Sequence, residues 1–135
     1  MTFLPDAIAL SDATALHRKM GIEVTEMAAG RTVARMPVAG NTQPYGVLHG
    51  GASCLLAESA ASLAAMAEVG EGGKAFGVDL NATHHLSART GHVTAVATPL
   101  HVGGTLGTWE VAITNDAGDR VCTARVTLAL RRPAR

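Results

Sequence analysis

The sequence predicts an α+β domain in which an antiparallel β-sheet curls around one long helix. Three observations carry this. The run His49 to Ala67 is rich in Ala and Leu on all sides, and a helix that is apolar all round belongs inside a protein. Strand-like runs lie on both sides of it, two before and four after. No second long helical pattern interrupts the later four, which places the strands in one sheet around one helix. At 135 residues the chain reads as a single domain over 1–135, large enough to bury roughly two-thirds of its unfolded surface.

Each element has a local reason. Ser11 to Met20 reads as a short helix, capped by Ser11 and ended by Gly21. Ile22 to Met27 and Thr32 to Val38 are strand-like and joined by Ala28-Ala29-Gly30. Between Ala39 and Leu48, Gly40, Asn41, Pro44 and Gly46 resist regular structure. The long helix runs from about Gly51 to Glu68 and stops at Gly70. Ala75–Ala88, His92–Val102, Thr105–Asn115 and Val121–Leu130 then read as strands. Thr90-Gly91, Gly103-Gly104 and Asp116 to Asp119 are turns short enough for hairpins. In the first of these strands Phe76, Val78, Leu80, Ala82 and Leu86 form an apolar face that His84 shares, while His85 points outward.

Composition excludes several functions. Acidic and basic residues number 11 each, so no basic surface offers itself to nucleic acid. No apolar run approaches the ~20 residues that span a membrane, and the N-terminus lacks a charged segment followed by an apolar core. Cys54 and Cys122 show neither CxxC nor zinc spacing, and the six histidines form no HxxH or HxH pattern, so no metal is expected. A soluble cytoplasmic protein is the expectation.

Chemistry concentrates on the long helix. A carboxylate inside a buried helix is costly unless it is compensated, and such groups are usually functional. Glu58 is that group, with Ser62 one turn later on the same face. Gly50 and Gly51 sit at the helix N-terminus, where unpaired N–H groups and the positive end of the dipole suit a developing oxyanion. Eight residues at 1.5 Å each separate Gly50 from Glu58 by roughly 12 Å. One carbonyl within ~3 Å of both groups therefore needs two antiparallel copies of the helix, a two-fold dimer with two composite sites. The bland alternatives are a structural Glu58 paired with His49 or Ser62, a satisfied core His84, and Ser62 bonded back to its own helix. A Cys54–His49 thiol nucleophile lacks a third group to orient it.

The stretch Asn41 to Ala52, containing His49-Gly50-Gly51 with Glu58 eight residues after Gly50, resembles hotdog-fold acyl-CoA thioesterases. Within that superfamily it is similar to the branch of Arthrobacter-type 4-hydroxybenzoyl-CoA and 1,4-dihydroxy-2-naphthoyl-CoA thioesterases. Gly77 to His84 and Pro99 to Gly103 resemble the second of these, and the likeness spans about Gly21 to Leu130. It implies a hotdog fold and hydrolysis of an acyl-CoA thioester to a carboxylic acid and CoA. CoA would be part of the substrate, with no separate cofactor. By this likeness Gly50 polarises the thioester carbonyl and Glu58 is nucleophile or general base. Gln43 and His49 line the thioester site, and Ser62 and His84 lie near the acyl group, beside Gly51. The related dihydroxynaphthoyl enzymes carry an Arg two residues after the matching His, where this chain has Leu86. Arg89, Arg131 and Arg132 are the candidates for the nucleotide phosphates instead.

Ala60, Ala61, Ala64 and Ala65 suggest room beside Ser62 for an aromatic or bulky acyl group. Dimers pairing into a homotetramer are the expected assembly. Two rival functions stand beside acyl-CoA hydrolysis: a proofreading thioesterase acting on acyl carrier protein, and a non-catalytic domain that binds acyl-CoA. A hotdog hydratase fits less well, because its Asp and His pair has no counterpart here.

Overall fold

The structure, a computed structural model, describes residues 15–134. Its elements are α1 (Ala15–Met20), β1 (Glu23–Met27), β2 (Thr32–Pro37), α2 (Gly50–Val69), β3 (Lys74–His84), β4 (His92–Val102), β5 (Leu106–Asn115) and β6 (Arg120–Arg131). Gly21 ends α1 at φ 74°, as its position predicts. The capping role expected of Ser11 falls outside the described residues.

The six strands form one antiparallel sheet in the order β1-β2-β4-β5-β6-β3, wrapped on α2. The α+β expectation holds, with one change of topology. Thr90-Gly91 is not a hairpin, since β3 pairs with β6 and β4 pairs with β2 and β5. Residues 85–91 instead cross from one sheet edge to its interior. Three strand spacings amount to roughly 14 Å, and seven extended residues reach roughly 24 Å, so the crossing needs no helix. Backbone bonds from Leu48 N to Ala88 O (2.8 Å) and from Val38 N to Gly91 O (2.9 Å) pin it down.

α2 begins at an N-cap, His49, and ends at Gly70, whose φ of 75° leaves the helical region and whose N–H bonds Met66 O. Ala57, Ala60, Ala61, Ala64 and Ala65 are fully buried against the sheet. Their small side chains let the helix approach the strands closely, so these alanines are core and do not themselves line a pocket. Opposite them lie Trp109, Val111 and Ile113 of β5 and Val126 and Leu128 of β6, all without exposure. Gly107 makes space for the Trp109 ring, since a Cβ there would stand 2.5 Å from its Cζ3, and Trp109 Nε1 donates to Ala29 O at 3.2 Å. By length and composition α2 is an exception to the expected lack of membrane-length apolar runs. The strands packed along its alanine side make it a core helix.

A β-bulge in β3 has the largest consequence for side-chain placement. The register slips between Gly77 and Asp79, leaving Val78 as the extra residue. Gly77 faces α2 before the slip and Leu80 after it, so one alternating pattern cannot describe the strand. Phe76 (55 % exposed) and Val78 (58 %) turn away from the helix, contrary to the expected apolar face. Leu86, also expected there, lies beyond the strand end and is exposed.

Candidate active site

The loop before α2 is built to deliver His49 at a fixed angle. Asn41 Nδ2 donates to Met20 O and Pro37 O, both at 2.8 Å, which ties the loop to α1 and β2. Gln43 N bonds Val47 O at 2.9 Å, and Gly46, at φ 80°, turns the chain back towards Gln43 O. His49 N bonds Asn41 O at 2.9 Å and closes the loop.

A helix start leaves four N–H groups without intrahelical partners, and here three are satisfied locally. His49 Nδ1 accepts from Gly51 N at 2.8 Å. His49 O accepts from Ala52 N at 2.9 Å, and His49 N–H is held by Asn41 O. Ser53 N, 3.3 Å from His49 O, makes the first regular bond of the helix. The remaining one, Gly50 N–H, has no hydrogen-bond partner among the described residues. Because Nδ1 of neutral His49 is an acceptor, its proton resides on Nε2.

The His84 ring packs beside Gly50. A Cβ on Gly50 would stand 3.0 Å from His84 Nε2, so only glycine lets the ring approach the backbone at that distance. His84 pairs in register with buried Cys122 and faces α2, as its position in β3 predicts. His85 turns to Thr123 Oγ1, 2.9 Å away. A cavity of about 310 Å³ opens here, lined by Gln43, Gly50, Ser53, His84 and Ser87 with Val47, Leu48, His85, Leu86, Ala88 and Val121. Its size falls at the lower end of the range for small-molecule sites. Gln43 Oε1 is taken by the Tyr45 amide, which leaves its Nε2 group as the donor.

Glu58 belongs to a different place. It lies on an exposed strip of α2, against Gly77 of β3, and not on the cavity wall. A carboxylate buried in the core was expected; within one chain it is exposed, because the sheet wraps only the alanine side of the helix. Ser62 is half-buried one turn further on. The separation of roughly 12 Å along the helix axis stands, so the free amide and the carboxylate do not meet inside one chain.

The arginines are scattered. Arg89 is exposed one residue beyond the cavity-lining Ala88, and Arg131 is exposed opposite Lys74 at the end of β6. Arg132 is engaged near the far end of α2, with Nη2 on Gly103 O at 2.9 Å, Nε on Gly104 O at 3.3 Å and Nη1 3.6 Å from Glu68. Burial raises the pKa of the Cys54 thiol, and burial together with Cys54 pushes Cys122 up to about 11. Neither thiol is disposed to ionise as a nucleophile does. Among the described residues no cluster of three His, Cys, Asp or Glu is placed to hold a metal ion.

Ser53 and the crossover residues Ser87 and Ala88 were not singled out from the sequence, and Leu86 was named only on the apolar face of a strand and as the residue in place of a related Arg. For Ser53 a signal existed: three residues after Gly50 on a helix, it shares that glycine's side. For the crossover none did, because its residues continue the alternation of β3.

A sequence model described as Thioesterase superfamily matches residues 45–122. The proofreading thioesterase EntH of Klebsiella pneumoniae is 39 % identical over 125 residues, covering 92 % of this chain and 91 % of that one. A 1,4-dihydroxy-2-naphthoyl-CoA hydrolase of Listeria monocytogenes is 36 % identical over 118 residues, 87 % of this chain and 96 % of its own. Among solved structures, a thioesterase from Haemophilus influenzae superposes with a TM-score of 0.90 at 34 % identity, covering 100 % of this chain and 95 % of that one.

Proposed function

Because the chain belongs to the thioesterase superfamily, with the hotdog fold and thioester hydrolysis as its activity, we propose that it cleaves acyl-CoA thioesters at two composite sites of a two-fold dimer. One observation carries the reading: Gly50 N–H is the unsatisfied amide of the first turn, and it opens on a ligand-sized cavity under His84.

In this mechanism the thioester carbonyl oxygen accepts from Gly50 N–H at the positive end of α2. Donors aimed at a developing oxyanion are worth ~10²–10³ in kcat each. Gln43 Nε2, on the cavity wall, and His49 Nε2–H, on the residue before Gly50 though not itself on that wall, assist in holding the thioester, and His84 and Ser62 flank the acyl group. Glu58 comes from the second chain. Either its carboxylate attacks the carbonyl carbon, giving a mixed anhydride that water then opens, or it takes a proton from the water that attacks. In both routes the tetrahedral intermediate expels the CoA thiolate, which is protonated as it leaves.

The dimer is supported by what one chain leaves open. β3 is an edge strand carrying exposed Phe76 and Val78, and an open apolar edge invites pairing. Beside it runs the uncovered strip of α2 that carries Glu58 and Ser62. On the outer face of the sheet Phe76, Ala129 and Leu106 align in one row across β3, β6 and β5, a patch suited to a second dimer and so to a tetramer. Two free thiols suit a reducing, cytoplasmic setting. Arg89, close to the cavity rim, is the preferred contact for a CoA phosphate. Arg131 is a more distant candidate, and Arg132 must first leave Glu68.

An aromatic acyl group is favoured by the Listeria relative, which is named for a bicyclic aromatic acyl-CoA. The relative named as a proofreading enzyme keeps carrier-protein thioesters as the second reading. A panel of benzoyl-CoA, phenylacetyl-CoA, hexanoyl-CoA and an aryl carrier-protein thioester, followed with a thiol-reactive dye, separates them. Fast release from the aromatic CoAs supports the proposal. Release from the carrier protein alone assigns proofreading, and release from none assigns a binding module.

A further inference from the structure

Gly77 has no conformational reason to be glycine. Its φ lies outside the left-handed region, and glycine inside a strand weakens it. Its register partner Leu128 is fully buried. What the position lacks is room. A Cβ there would overlap Glu58 Oε1 and stand 3.2 Å from Glu58 Cδ. Among the described residues the Glu58 carboxylate has no hydrogen bond or ion pair, so the contact that locates it is bare backbone. The bulge immediately after Gly77 keeps this residue, and not Val78, turned towards the helix.

We propose that Gly77 is a positioning residue for hydrolysis, its missing side chain fixing where the Glu58 carboxylate stands. This rests on the reading of Glu58 as the acting carboxylate. The colliding atom is the tip of a flexible side chain on an exposed strip, so an alanine at 77 leaves the fold intact. The carboxylate swings away instead, and a displacement near 1 Å can cost ~10²-fold in rate.

The test uses the full chain and the best acyl-CoA of the panel, benzoyl-CoA being the first choice. Gly77→Ala is expected to lower kcat at least ~10-fold while KM, melting temperature and oligomer size stay close to wild type. Gly30→Ala, where a Cβ meets nothing within 4 Å, should change none of these. In a Glu58→Asp background the carboxylate is drawn back by one methylene, to about where Glu58 Cδ stands, 3.2 Å from that Cβ, which relieves the overlap. Gly77→Ala should there cost little more, the non-additivity expected of residues in contact. Equal losses in both backgrounds overturn the inference, as does a Gly77→Ala enzyme with undiminished kcat. If Gly77→Ala fails to fold, Gly77→Ala with Glu58→Ala must fold; should it not, the glycine serves the strand alone and the inference is wrong. Full activity in Glu58→Gln would sink the underlying mechanism, whereas an inactive Glu58→Gln beside a fully active Gly77→Ala sinks this inference alone.

Discussion

The first turn of α2 and its middle, two turns on, are built in opposite ways. At the first turn nearly every polar group has an assigned partner: His49 takes three amides of the helix start, Asn41 holds the loop, and Gly50 N–H alone is left open, with the His84 ring beside Gly50. In the middle, Glu58 stands exposed with a glycine for a neighbour and no hydrogen bond among the described residues. The difference teaches that a single chain finishes one half of the proposed site and leaves the other half open, the opening that the proposed dimer would fill.

The largest expected effect separates the halves. Glu58→Gln removes the base or nucleophile without altering packing, so kcat should fall at least ~10²-fold with the melting temperature unchanged. A variant that keeps most of its turnover breaks the comparison, because the open half would then be mere surface.

Mixing two inactive chains sharpens it. Glu58→Ala and Gly50→Pro variants, dissociated together and reassembled, should form mixed dimers about half the time, each with one intact site. Activity should recover to roughly a quarter of wild type if sites are shared between chains. A mixture that stays inactive, although both variants are dimeric and exchange subunits, confines each site to one chain.

His49→Ala should act on the finished half. Gly51 N–H loses its acceptor, and losing such a cap costs about 1 kcal/mol, readable as a lower urea midpoint. Gly50 N–H stays free, so kcat should fall less than in Glu58→Gln. If stability is unchanged and turnover collapses, His49 works on the substrate and is no cap.

The smallest effect concerns Cys122, beneath His84. Its pKa is raised in the folded chain from 9.0 to about 11. An acid whose folded pKa is raised contributes stability that is complete below the unfolded value and lost as pH climbs through the folded one. Stability should therefore decline between pH 9 and 11, and Cys122→Ala should flatten that slope. An identical decline in the variant would assign it to other groups.

Most of the fold was legible because it follows from periodicity: β4 spans the expected residues, β5 differs from expectation by one residue at its start, and α2 and β6 each extend one residue further at both ends. Gly50 was legible for the same reason, since helix starts expose amides wherever they occur. β3, expected over Ala75–Ala88, runs over Lys74–His84, so its end was read four residues too far, and the faces of Phe76 and Val78 were misread at one bulge. Val78 sits in a bulge, and a single extra residue reverses which side chains face the helix, something alternation alone does not encode. The β3–β4 connection was misread because a Thr-Gly pair looks the same in a hairpin and in a crossover; only the pairing of β3 with β6 distinguishes them. Glu58 was expected in the core because its neighbours in sequence are apolar, yet a sheet covers one side of a helix and leaves the other to a partner or to solvent.

The crossover fixes when the cavity exists as well as where. Leu86, Ser87 and Ala88 become its wall only once β3 is held against β6, and His85 and Thr123, which meet at that junction, lie 38 residues apart. Contacts of such sequence separation form late, since the intervening loop must close before they stabilise anything. The α2 amide precedes β6 in the chain by some seventy residues, so a chain still lacking its last strand has the free Gly50 N–H without the wall that Leu86, Ser87 and Ala88 form around it.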